Sequence, residues 1–196
     1  MAAINLIVEG DLDEAVAGRI VRTVGHEIGV CYGKRGYGYI QSKIAGFNMA
    51  ARNVHYLALV DFMDTRLSCP AEVVAQWVPN RQQNMLFRVV VREIESWLLA
   101  DRINLARFLR ISPAHVPASS EQINDPKLTL VNLARHSKNS RVRAALIPEV
   151  GSTAQVGRLY TSEMKVFISE SWDVDAARRN SPSLNKCMIR LEELTD

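Results

Sequence analysis

The sequence predicts an α/β protein with a Rossmannoid core, a small and mainly parallel sheet flanked by helices, and a helical C-terminal half. Three observations predict it. Short β-favouring runs alternate with amphipathic helical segments through the first half, acidic residues gather where those runs end, and no convincing strand follows about Asp101.

The first element is the apolar run Ile4 to Val8, closed by Glu9-Gly10, which reads as a buried strand ending in a turn. A helix follows from Asp11 or Leu12. Its acidic Asp13 and Glu14 suit the positive N-terminal end, and Ala15, Val16, Ile20, Val21 and Val24 recur at helical spacing. Val30 to Tyr32 is a second short strand, and the basic GKRGYGYI after it reads as a loop with Tyr37 and Tyr39 interleaved. Gln41 to Arg52 is weakly amphipathic helix, and His55 to Val60 is a third strand terminated by Asp61.

Pro70 opens a helix through Trp77, in keeping with the fit of proline to a first helical turn. Leu86 to Val91 is a β-branched strand leading into REIESWLLAD, so a further strand-to-helix junction carries Glu93 and Glu95. Beyond it the expected helices are Ile103 to Arg110, Pro126 to His136, Ser140 to Leu146, Ala154 to Glu170 and Ser183 to Leu194, with a long surface connection through ISPAHVPASSEQINDP. The expected organisation is an α/β core over 1–101 and a mainly helical extension over 102–196, packed as one unit.

Composition narrows the function classes. No run approaches the roughly 18 apolar residues of a membrane span, and Met1 leads straight into INLIV without a basic leader, so the expected setting is cytoplasmic with no membrane partner. Cys31, Cys69 and Cys187 are far apart and lack zinc-ligand spacing; they read as reduced thiols. A net charge of +3 does not by itself announce nucleic-acid binding. Basic residues do cluster at Lys34 and Arg35 and through Arg135, Lys138, Arg141 and Arg143, either as a phosphate-binding surface or as ordinary solvated surface.

In a parallel sheet, ligands collect beyond the carboxyl ends of the strands, the edge where Glu9, Asp61, Asp64 and Glu93 or Glu95 are expected. Carboxylates meeting there repel one another unless a cation sits among them. Oxygen-only ligands favour Mg²⁺ or Mn²⁺, ions that also bridge phosphate oxygens. Glu9 is then a ligand or general base, with Asp61 and Asp64 as ligands. The alternative is that each carboxylate caps a helix or pairs with an arginine such as Arg66 or Arg92. Lys127, where a helix starts after DP, is a candidate phosphate contact or an exposed helix-terminal lysine, and Tyr37 in the basic loop is a candidate base-stacking residue. GKRGYG lacks the GxxxxGK[ST] pattern, so any ATPase function is expected from a partner protein.

VEG after the first strand, DFMDTRLSCPAEV after a later one, then REIESWLLAD, DPK and NSPSLNK together resemble the bacterial domain-of-unknown-function family 4276 of Toprim-like proteins. The resemblance spans nearly the whole chain. It implies a Toprim fold, a Mg²⁺-dependent site, and kinship to topoisomerases, primases and overcoming-lysogenization-defect nucleases, often encoded beside ATPases in mobile or antiviral loci. By position, Glu9 matches the signature glutamate, Asp61 the first aspartate of DxD, and Glu93 and Glu95 the ExE before tryptophan, with Asp13 near a further acidic position. The chain departs from the pattern at the second aspartate, since Met63 stands there and the next carboxylate is Asp64. The resulting expectation is a metal-dependent nuclease or nuclease-related subunit acting on DNA or RNA, or, alternatively, a catalytically inactive interaction subunit of the same fold.

Overall fold

A computed structural model describes residues 1–194. Four parallel strands form one sheet: β1 (Ala3–Val8), β2 (Glu27–Gly33), β3 (His55–Asp61) and β4 (Met85–Val90), in the order β2-β1-β3-β4. The first-half helices are α1 (Asp11–Thr23), α2 (Tyr37–Ala50) and α3 (Pro70–Trp77). The expected fold class is therefore the observed one. Among the described residues no helix is long and apolar enough to cross a membrane.

The chain divides into two compact units, Met1–Ile94 with Ser183–Asp196, and Glu95–Pro182. In the first, alternate strand residues face opposite sides, as the two-residue period requires. Ile7, Tyr56, Ala58, Val60, Met85 and Phe87 pack with Ile40 and Ile44 of α2 and Val73 and Trp77 of α3. Ile4, Leu6, Leu57 and Leu59 are equally buried, as are Val16, Ala17, Ile20 and Val21 of α1, which packs on β1 and β3. The last helix, α10 (Pro182–Glu192), buries Leu184, Cys187, Met188 and Leu191. Its Leu191 carbonyl accepts from His26 Nε2 at 2.9 Å, while His26 Nδ1 accepts from the Ala2 amide at 3.2 Å, which fixes the imidazole as the Nε2–H tautomer.

The second unit holds α4 (Glu95–Ala100), α5 (Arg102–Leu109), α6 (Pro126–Arg135), α7 (Ser140–Leu146), α8 (Tyr160–Glu170) and α9 (Val174–Arg178). Trp97, Leu105, Leu109, Leu130, Leu146, Phe167 and Trp172 are among its fully buried apolar residues. Asp101, Asp125, Asn139 and Asp173 cap α5, α6, α7 and α9 in turn, each accepting from an amide of the first turn. Asp101 also accepts from the Asp173 amide at 2.8 Å, tying the start of α9 to the start of α5.

Several elements differ from the sequence reading, β2 among them, which starts at Glu27 rather than Val30. Tyr37 lies in the first turn of α2 rather than in a loop, because Gly36 turns the chain directly into the helix and Tyr37 and Tyr39 pack against the core. Helix α8 starts at Tyr160, six residues later than Ala154. There Gly157 donates to the Leu146 carbonyl and lies so close to the Ala145 and Ile147 carbonyls that no side chain fits, which holds the chain out of helix up to that point. The short α9 carries too little periodicity to stand out in the sequence.

Candidate acidic site at the carboxyl edge of the sheet

From β1 the chain crosses to β2 on one side, and β3 leads to β4 on the other, so β1 and β3 flank the topological switch point of the sheet. Glu9 directly follows β1 and Asp61 ends β3, and the Asp61 amide donates to Glu9 Oε1 at 2.9 Å. The crevice where α/β sheets bind ligands is thus flanked by two carboxylates.

The loop after β2 holds Glu9 from the other side. Lys34 N–H donates to the Val8 carbonyl at 2.8 Å and Gly36 N–H to the Glu9 carbonyl at 3.0 Å. This requires Gly33 at φ +101°, where an added Cβ would collide with the Val8 carbonyl oxygen. The glycine-rich segment therefore serves first as a main-chain clamp on the turn that presents Glu9.

After Asp61 the chain enters a 3-10 turn, Phe62–Thr65, closed by Arg66 in the left-handed region. A 3-10 turn brings residues three apart onto one side. Asp64 is accordingly close enough to Glu9 for its charge to raise the Glu9 carboxyl. The DxxD spacing that departs from DxD is thus matched by the local helix type. Met63, between them, is 45% exposed.

Burial above all pushes the Glu9 carboxyl up to about 8; the Asp61 amide opposes the rise, and the charges of Asp13 and Asp64 add to it. Asp13, on the first turn of α1, is 7% exposed, and Asp61 is 9% exposed. Four acidic residues from β1, α1 and the end of β3 therefore share this edge, and the charge of Glu9 is opposed by two of the others.

Among the described residues, no group of three His, Cys, Asp or Glu side chains is drawn together as a ready-made metal cage. Mg²⁺ does not need one, since it keeps several waters and is held by one or two carboxylates plus substrate phosphates. Glu9 and Asp64, close together and lacking a thiol or imidazole beside them in the motif, fit that donor chemistry.

The other expected site residues divide between different settings. Glu93, 9% exposed, lies at the junction after β4 in the sheet unit. Glu95 belongs to the second unit, is 1% exposed, accepts from the Tyr160 hydroxyl at 3.1 Å and lies 3.7 Å from Lys127 Nζ. Lys127 sits in the first turn of α6 after the Asp125 cap. Lys34 Nζ lies 2.6 Å from Glu14 and 3.4 Å from Asp11, neutralising acids at the start of α1, and Arg35 stacks over Tyr39 at 5.7 Å. Of the later basic cluster, Arg141 pairs with Glu163 at 3.4 Å and Arg143 donates to the Ser137 carbonyl at 3.1 Å. No family model, curated protein or solved structure matches the chain, so its site is argued from its own geometry.

Proposed function

We propose that the chain is a Toprim-like, metal-dependent nuclease or nuclease-related subunit acting on DNA or RNA phosphodiesters, with Mg²⁺ or Mn²⁺ as cofactor. One observation carries the reading: Glu9 and Asp64 lie close together at the switch point of a parallel sheet, with Asp61 and Asp13 beside them. Glu9, Asp61 and Asp64 are the residues that would hold the ion, and when bound it supplies Lewis-acid polarisation of the phosphodiester and an activated water. Glu93 is kept as a further candidate ligand because it is buried at a neighbouring strand end. The turn at Gly33 and the Asp61 amide fix the direction of the Glu9 side chain in advance of any ligand.

A second reading, a non-catalytic subunit docking on an ATPase, is favoured by Lys34, whose charge at the surface is matched by Asp11 and Glu14. Cleavage assays separate the two. Purified protein, with the ATPase if a neighbouring gene encodes one, is expected to cut nucleic acid in Mg²⁺ or Mn²⁺ and not in EDTA. Asp61→Asn is expected to lose about two to three orders of magnitude, the scale of removing one electrostatic group from a transition state. Divalent ions are expected to raise the melting temperature of wild type but not of Glu9→Gln. If wild type and Asp61→Asn are equally inert yet bind the partner equally, the docking-subunit reading replaces the nuclease.

A further inference from the structure

At the other end of the sheet, where the chain enters β4, a cavity of about 140 Å³ is lined by Arg81, Gln82, Gln83, Arg88 and Arg190, with Met85 and Leu86 as its apolar wall. Arg88 is the informative member. It lies within strand β4, MLFRVV, half-buried, and its Nε is buried with no hydrogen-bond acceptor among the described residues. Burial depresses its guanidinium, and the neighbouring charges of Arg81 and Arg190 depress it further, so three cations crowd one small space. Among the described residues, the carboxylate acting on Arg88 is Glu193, which accepts from Arg190 Nη1 at 2.5 Å.

A guanidinium Nε buried without an acceptor is costly, and a planar fork of donors matches the oxygens of a phosphate. Among the described residues three guanidinium groups face one carboxylate, an excess of positive charge that suits an anion such as phosphate. The size agrees. The cavity has room for a phosphate group.

We propose that this pocket binds a terminal phosphate group, free or at the end of an ester, through Arg81, Arg88 and Arg190 with the Gln82 and Gln83 amides. Because these groups address only the phosphate, recognition does not depend on a base. The pocket is built from β4, its preceding loop and α10, and it owes nothing to the carboxylates proposed above.

The test is calorimetric titration of the full chain in EDTA, which removes any metal-centred phosphate binding. The probes are inorganic phosphate, a 5′-phosphorylated tetrathymidylate and the same tetrathymidylate without the 5′-phosphate. Binding of inorganic phosphate above a chloride control of equal ionic strength is expected. Binding of the phosphorylated oligonucleotide at least tenfold tighter than the unphosphorylated one identifies an esterified ligand, and binding of inorganic phosphate without such preference for the phosphorylated oligonucleotide identifies the free anion. The exposed-residue variants Arg81→Gln and Arg190→Gln are expected to weaken phosphate binding tenfold or more. Equal response to phosphate and chloride, tighter binding of the unphosphorylated oligonucleotide than of inorganic phosphate, or unchanged phosphate affinity in both variants overturns the proposal.

Discussion

Two glutamates follow strand-like segments of this chain, and their surroundings differ in sign. Glu9 lies close to Asp64 and is opposed by the charge of Asp13, with only a main-chain amide in its favour, whereas Glu95 meets Lys127 and the Tyr160 hydroxyl. A buried carboxylate beside an ammonium and a hydroxyl finds its counter-charge within the chain. One among other carboxylates is stable only with a proton or a cation brought from outside. Residue type and position after a strand are therefore poor guides to role, and the charge of the neighbours is the better one.

The largest expected effect that sharpens this contrast is the pH dependence of stability without metal. The Glu9 carboxyl titrates near 4.5 when unfolded and at about 8 when folded, so between those values the folded state holds a proton that the unfolded state has lost. Stability from this group is fully present below about pH 4.5 and falls as pH rises toward 8, with a slope of at most about 1.4 kcal/mol per pH unit. Urea unfolding in EDTA across this range is expected to show the fall in wild type and a flatter profile in Glu9→Gln. A wild-type profile parallel to that of Glu9→Gln breaks the comparison.

Next in size, Glu95→Ala is expected to destabilise the protein by about 2 to 3 kcal/mol, since it strands the Tyr160 hydroxyl and removes the partner of a half-exposed ammonium. The opposite signs of Glu9→Gln at alkaline pH and Glu95→Ala are the measurement that matters. The smallest effect concerns Met63→Asp, which writes a literal DxD into the sequence. Because the 3-10 turn already places Asp64 close to Glu9 and Met63 is exposed, metal response and any cleavage are expected to change less than about twofold, with stability within about 0.5 kcal/mol. A large gain would show that the turn misplaces Asp64.

The sheet was legible because its strands are short, β-branched and bounded by Glu9-Gly10, Asp61 and the start of REIES, and each such boundary is a local signal. The meeting of Glu9 and Asp61 followed from parallel topology alone. What one chain could not reveal is the 3-10 turn after Asp61 that carries Asp64, because a four-residue turn leaves no periodicity. The ion pairs of Lys34 were not legible because its partners, Asp11 and Glu14, lie twenty or more residues back and meet it only once β2 pairs with β1. Arg88 did leave a signal, a lone arginine in a run otherwise suited to a buried strand, yet its companions Arg81 and Arg190 come from a loop and the last helix.

That last helix carries a consequence for the order in which the molecule is made. The sheet unit is interrupted after Ile94 and resumes only at Ser183, so a ribosome must complete the whole of the second unit before α10 emerges. At translation rates of about 5 to 20 residues per second, the nascent sheet waits roughly 4 to 18 s for Leu184, Cys187, Met188 and Leu191. Through that interval the apolar ground that these side chains later occupy is open to solvent, to chaperones and to neighbouring nascent chains, which makes the interval a point of vulnerability set by chain order rather than by the strength of any contact.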